Sequence, residues 1–120
     1  MKFFLDTYAM VEIVRGNEKY NKYVDQDSYT TIFNLFELYY TLLRDYGEEI
    51  AKEKYYEFYI FLINIRDEWI FLAAKFKLEN KKFDISYTDA LGYMIAKENE
   101  MKFLTGDKEF KNLNNVEFVK

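Results

Sequence analysis

The sequence predicts an α/β layered domain with a mainly parallel sheet, and three observations carry that prediction. Its length, 120 residues, suits one domain spanning the whole chain, since independent domains usually run to about 100–150 residues. Two short apolar runs, Lys2-Phe3-Phe4-Leu5 and Met101-Lys102-Phe103-Leu104-Thr105, are followed by Asp6 and by Gly106-Asp107, as suits strands buried on both faces. Between strand-like runs lie segments of helical period, giving the order strand, helices, strand, helices, strand, short helix, strand.

Each element has its own local reason. After the first strand, Asp6-Thr7 can cap a helix through about Val14, which Arg15-Gly16-Asn17 breaks. A more polar helix follows to about Val24, then a turn at Asp25-Gln26-Asp27 and a short strand at Ser28-Tyr29-Thr30-Thr31. From Ile32 to Tyr46 large apolar residues wrap most of a helix and leave a narrow polar stripe at Asn34, Glu37, Thr41 and Arg44. Gly47 ends it. Glu48 to Ile65 reads as the next helix and Asp67 to about Asn80 as another, with Trp69, Ile70, Leu72, Ala73, Phe76 and Leu78 inward. The lysines at 75, 77, 81 and 82 then form a patch whose plain explanation is a solvated helix end complementing the macrodipole. Ser86 or Thr88 can cap a helix running to about Asn99. After the Met101 to Thr105 strand, Lys108 to Leu113 is a helical turn and Val116 to Val119 a last strand.

Composition then removes most chemistries. Half the residues are apolar by a broad count and 12 Phe, 12 Tyr and 1 Trp supply ample core material. Seventeen Lys and Arg against 21 Asp and Glu leave a net charge of −4, so no chain-wide basic field attracts a polyanion, and nucleic-acid binding needs a local patch or bound cations. With no Cys and no His, the chain has no disulfide, thiolate nucleophile, His-based zinc site or imidazole base. No apolar run reaches the roughly 18 residues of a membrane span and no signal-like start is visible, so the expectation is a soluble, cytoplasmic protein.

Four acids stand where ligands gather in such folds, beyond the carboxyl ends of parallel strands. Asp6 closes the first strand and Asp107 follows the Met101 to Thr105 strand. Glu37 lies within two turns of the second strand, and Asp89 is in the first turn of its helix. Taken singly, Asp6 reads as a helix cap, Asp89 as part of a capping box with Ser86, Asp107 as a turn residue and Glu37 as a solvated stripe. Four separate caps have no reason to converge on one rim, and convergent carboxylates repel one another unless cations neutralise them. Hard oxygen donors suit Mg²⁺ or Mn²⁺. Such ions support in-line hydrolysis of a phosphodiester without any histidine.

These residues resemble the PIN-domain ribonucleases, specifically the small VapC-type toxins of toxin–antitoxin pairs. The resemblance rests on Phe4-Leu5-Asp6-Thr7, Asn34-Leu35-Phe36-Glu37-Leu38, Ser86-Tyr87-Thr88-Asp89-Ala90-Leu91 and Leu104-Thr105-Gly106-Asp107-Lys108-Glu109-Phe110, and it covers essentially the whole chain. It implies a three-layer PIN-like sandwich with a five-stranded, mainly parallel sheet flanked by helices. It places the family's acidic quartet on Asp6, Glu37, Asp89 and Asp107, as catalytic residues and as ligands of Mg²⁺ or Mn²⁺ in endonucleolytic RNA cleavage. It puts a hydroxyl near the site at Thr105, a candidate substrate contact, and a peripheral acid at Glu109. A homodimer and a cognate antitoxin that covers the site are also implied, as is, on another branch of the same fold, an RNA-processing factor. The sequence departs from the family in its aromatic load and in Gly92, inside a helix, where close packing would account for it. Arg15 and Lys108, with Arg44 and Lys97, are the candidate phosphate contacts, and exposed tyrosines could stack on unpaired bases.

Other α/β families of this size fit less well. A receiver domain needs an acidic pair after its first strand, whereas Asp6 stands alone, and a haloacid-dehalogenase-type phosphatase needs a second Asp where Tyr8 stands. A PIN fold that binds RNA or a partner without catalysis is the nearer alternative. The intact quartet speaks against it.

Overall fold

The computed structural model describes residues 1–120. Strand β1 (Lys2–Leu5) leads into α1 (Thr7–Val14), and a 3₁₀ turn (Glu18–Tyr23) leads to β2 (Asp27–Tyr29). Four helices follow: α2 (Ile32–Tyr46), α3 (Glu48–Tyr59), α4 (Asp67–Glu79) and α5 (Tyr87–Glu98). The chain closes with β3 (Lys102–Thr105), a 3₁₀ turn (Lys108–Phe110) and β4 (Val116–Phe118). Helix starts are capped as their sequences demand: Asp6, Thr31 and Ser86 each accept a hydrogen bond from a first-turn amide. Gly47 joins α2 to α3 at φ +89°, a backbone region that disfavours side chains.

All ladders are parallel and the strand order is β2-β1-β3-β4. Alternation along the strands divides the core in two. Phe3, Leu5 and Leu104 face α1, α2 and α3, while Phe4 and Phe103 face α4 and α5. Helices flank a parallel sheet on both faces, the α/β layered arrangement that the sequence predicts and the three-layer sandwich that the resemblance implies. No helix is long and apolar enough to cross a membrane.

Gly92 lets α5 sit close on the sheet. A Cβ there would stand 2.5 Å from the Phe4 ring and 3.2 Å from Phe103, two rings stacked 5.8 Å apart with no exposed surface. Overpacking of that kind costs about 1–3 kcal/mol, which outweighs the roughly 1 kcal/mol that Ala gains over Gly in a helix. Gly92→Ala is therefore expected to lower the urea midpoint, and Gly92→Val to lower it further. Equal or greater stability in Gly92→Ala would contradict the close packing.

The sheet has four strands rather than five. The missing fifth is reduced to one parallel bridge between Thr30 and Leu62, in which Thr30 N–H donates to the Phe61 carbonyl and Ile63 N–H to the Thr30 carbonyl. Helix α3 stops at Tyr59 instead of running to Ile65, and turn bonds from Phe61 to Phe58 and from Leu62 to Tyr59 keep the chain curled through Leu62. Arg66 then serves as the N-cap residue of α4. Too few extended residues remain between these points for a ladder. Smaller differences are a 3₁₀ turn in place of the polar helix before Val24 and a three-residue last strand.

Candidate active site

The chain leaves β1 for β2 on one side and returns to β3 on the other, so the β1/β3 junction is a topological switch point, where parallel sheets open a crevice. Asp6 follows β1 there and Asp107 follows β3. Both are caps as well: Asp6 Oδ1 accepts from Ala9 N–H at 2.8 Å and Asp107 Oδ1 from Glu109 N–H at 3.0 Å. Capping and site roles thus coincide, since the cap is what fixes each carboxylate at the strand end. Thr105 joins them: its hydroxyl accepts from Asp107 N–H at 3.0 Å and lies near enough to the Asp6 carboxylate to favour its charged form.

Glu37 comes from α2 and is set by a chain of polar contacts. Thr31 Oγ1 donates to Asn34 Oδ1 at 2.6 Å, Asn34 Nδ2 to Thr7 Oγ1 at 3.2 Å, and Thr7 Oγ1 to Glu37 Oε1 at 2.7 Å. Asn34 is only 1% exposed, so its amide depends on these partners. Thr7→Val leaves the Asn34 Nδ2 donor without its acceptor at a cost of about 1–3 kcal/mol and frees the Glu37 carboxylate. The expected result is a lower melting temperature and about 10–100-fold less activity, as when a ligand-orienting partner is lost. Thr7→Ser should restore both. Full activity in Thr7→Val would show that Glu37 needs no such orientation.

Asp89 completes the set from the first turn of α5, its N–H bonded to Ser86 Oγ at 3.1 Å. The four acids line one cleft of about 410 Å³, together with Thr7, Glu12 and Arg15. In two of them the charged form is disfavoured. Burial pushes the Asp6 carboxyl well above the usual carboxylate range, against hydrogen bonds from Thr105 and Ala9, and Asp89 and Asp107 raise it further. Burial, then the charges of Glu37 and Asp107, lift Asp89 to about 6.

A fold of this topology with acids at its switch point invites comparison with known families. The family model for the PIN domain matches residues 3–116. This chain belongs to the PIN-domain family.

As a PIN domain it superposes closely on solved structures despite low identity. VapC20 of Mycobacterium tuberculosis, a sarcin-ricin loop cleaving toxin, is 15% identical at a TM-score of 0.78, with 98% of this chain and 96% of that one covered. A chain of the Rickettsia felis VapBC2 complex, solved with a promoter DNA fragment, is 20% identical at 0.74, covering 99% and 98%. One from VapBC-1 of nontypeable Haemophilus influenzae is 14% identical at 0.74, covering 100% and 98%. These likenesses establish the fold. No curated protein matches in sequence.

The remaining candidates distribute unevenly over this PIN domain. Arg15 lines the cleft, but its guanidinium is engaged by Asp45 at 3.0 Å and Glu12 at 3.7 Å. Thr105 is fully buried, so its hydroxyl positions Asp6 and Asp107 and does not meet a substrate from solvent. Lys108 is exposed and Glu109 half-buried, and neither lines the cleft. Arg44 pairs with Asp45 at 2.8 Å, and Lys97 lies in the last turn of α5, at the end of the helix away from Asp89. Sequence reasoning passed over Thr7 as the partner of Glu37, and Glu12 as a further acid in the cleft. The Thr31-x-x-Asn34 cap pattern was the available signal for the polar chain that reaches Thr7.

The donor set fits a hard divalent cation: oxygen only, with two carboxyls held above their ordinary range by burial and by one another. No three acids stand together as a preformed metal-ligating cluster. Ligation would require the side chains to converge by rotation within the cleft.

Proposed function

We propose that this PIN domain is an Mg²⁺- or Mn²⁺-dependent endoribonuclease and the toxin of a toxin–antitoxin pair. The observation that carries the reading is the gathering of Asp6, Glu37, Asp89 and Asp107, from four separate parts of the chain, in one cleft at the switch point. These four would hold the cation. A bound divalent ion supplies a water of lowered pKa, in-line orientation and charge neutralisation at the leaving oxygen. The protein's own contribution is placement. Thr105 and the α1 cap fix Asp6, Thr7 fixes Glu37, and Ser86 fixes the start of the helix that carries Asp89.

The toxin reading draws on the shared fold with chains of toxin–antitoxin complexes and on an apolar surface beside the cleft. Phe36 and Tyr40 on α2 are 72% and 61% exposed and, with Glu37, line a groove adjoining it. Aromatic side chains exposed to that degree favour a partner, here an antitoxin segment lying across the cleft. A homodimer would cover the exposed Tyr56, Tyr59 and Ile60 at the end of α3.

Purified protein should cleave a mixed RNA pool with Mn²⁺, lose that activity in EDTA, and recover it when Mn²⁺ is returned in excess. Equal cleavage in EDTA would overturn the metal–carboxylate mechanism. Expression alone should arrest growth, and co-expression of a small neighbouring reading frame should relieve the arrest. Absence of arrest would favour an RNA-processing role.

A further inference from the structure

Beyond the end of α4 the chain forms a second hollow, of about 510 Å³, lined by Lys77, Lys81, Lys82, Phe83 and Tyr87, with Asp84 the acid among them. Complementing the α4 dipole does not account for all of these lysines. Lys81 and Lys82 lie past Asn80, the C-cap residue, and no carboxylate pairs with them or with Lys75. Lys77 is engaged within the fold, where its ammonium donates to the Ile85 carbonyl at 2.6 Å and sits 4.8 Å from the centre of the Tyr87 ring. That clamp holds the loop and the ring together. Tyr87 nevertheless remains 81% exposed.

The hollow adjoins the acidic cleft through consecutive residues. Ser86 lines the cleft and Tyr87 lines the hollow, both fixed by the hydrogen-bonded start of α5. For a chain of net charge −4 with a cleft of carboxylates, a polyanion needs bound cations or a local basic surface, and outside the cleft only the latter serves. Lysines without a carboxylate partner, Lys82 lying 5.2 Å from the centre of the Phe83 ring, beside an exposed aromatic ring match single-stranded RNA, which offers phosphates and unstacked bases at once. A duplex offers no base face for the ring, and an acidic peptide would use the lysines alone. Resting on the ribonuclease reading above, we propose that this hollow is the track by which single-stranded RNA enters the cleft. Lys81 and Lys82 take its phosphates, and Tyr87 stacks the base that precedes or follows the cut.

The test is binding of a fluorescently labelled, unstructured 12-nucleotide RNA to the full chain in EDTA, titrated at several salt concentrations. Lys81→Glu/Lys82→Glu should weaken binding about tenfold or more and flatten the salt dependence by about one to two in slope. Tyr87→Ala should weaken it about fivefold or more at unchanged slope, since stacking releases no counterions. Lys81→Arg/Lys82→Arg should bind as the parent does. Affinities within twofold of the parent for both the Glu and Ala variants would overturn the track. So would displacement of the RNA by poly-glutamate or duplex RNA at equal charge concentration, which would make the hollow a general anion surface. Cleavage by the parent protein with Mn²⁺ is scored separately: its absence counts against the ribonuclease reading, while the variants' binding decides the track.

Discussion

Asp6→Asn is expected to abolish RNA cleavage and to make the protein more stable. The first effect follows from the proposed role. A carboxylate that holds the catalytic cation accounts for several kcal/mol of transition-state stabilisation, so a loss of about 1000-fold is expected, each 1.4 kcal/mol being a factor of ten. The second follows from burial. Asp6 is 2% exposed, and its carboxyl is held well above the ordinary range by desolvation first and by the charges of Asp89 and Asp107 as well. Because its folded value lies above its unfolded one, Asp6 contributes most to stability in acid, and that contribution is lost as pH rises through the folded value. Asparagine removes the ionisation and keeps the cap, since its side-chain oxygen can still accept from Ala9 N–H. The melting temperature of Asp6→Asn should therefore exceed that of the parent at pH 7.5 without divalent cation, by a margin that shrinks toward pH 4. A less stable variant, or one that cleaves normally, would mean that Asp6 is a structural cap and nothing more.

The same tension between stability and function explains which parts of the molecule could be read from the sequence. Asp6 and Asp107 were legible because each ends a short apolar strand, and parallel strands put such residues on one edge regardless of packing detail. Asp89 was legible through the Ser86 cap, which sets where α5 begins. Thr7 as the partner of Glu37 was not, because that contact joins residues 30 positions apart and depends on how α1 meets α2. Periodicity describes one helix at a time. The end of α3 failed for a related reason. Ile60 to Ile63 continue an apolar pattern that suits a helix, but the unpaired edge of Thr30 offers backbone hydrogen bonds to Phe61 and Ile63. Competition of that kind is settled by tertiary contact rather than by local propensity. The hollow beside α5 lay between these cases. Its lysines formed a visible patch, but only the fold shows that Lys77 is engaged by the Ile85 carbonyl and the Tyr87 ring, while Lys81 and Lys82 pair with no carboxylate and Lys82 sits 5.2 Å from the centre of the Phe83 ring.

A divalent cation is expected to stabilise the protein strongly at neutral pH and little in acid, with Asp89 setting much of the difference. Its carboxyl stands at about 6 against an ordinary 3.8, which corresponds to about 3 kcal/mol against the ionised form. The folded value is raised, so the contribution of Asp89 to stability is fully present below pH 4 and is lost as pH rises to about 6. A cation bound among the carboxylates reverses that balance: it requires their charge and offsets the repulsion from Glu37 and Asp107. Proton and cation therefore compete for the same oxygens, and the rise in melting temperature produced by saturating Mn²⁺ should grow steeply between pH 5 and pH 7.5. Asp6 titrates in the same upward direction and adds to the slope. Asp89→Asn should raise the melting temperature at pH 7.5 without cation, shrink the Mn²⁺-induced rise, and make what remains less dependent on pH. A Mn²⁺-induced rise of equal size at pH 5 and pH 7.5 would show that the ion binds elsewhere, and that the repulsion within the cleft is relieved by protons alone.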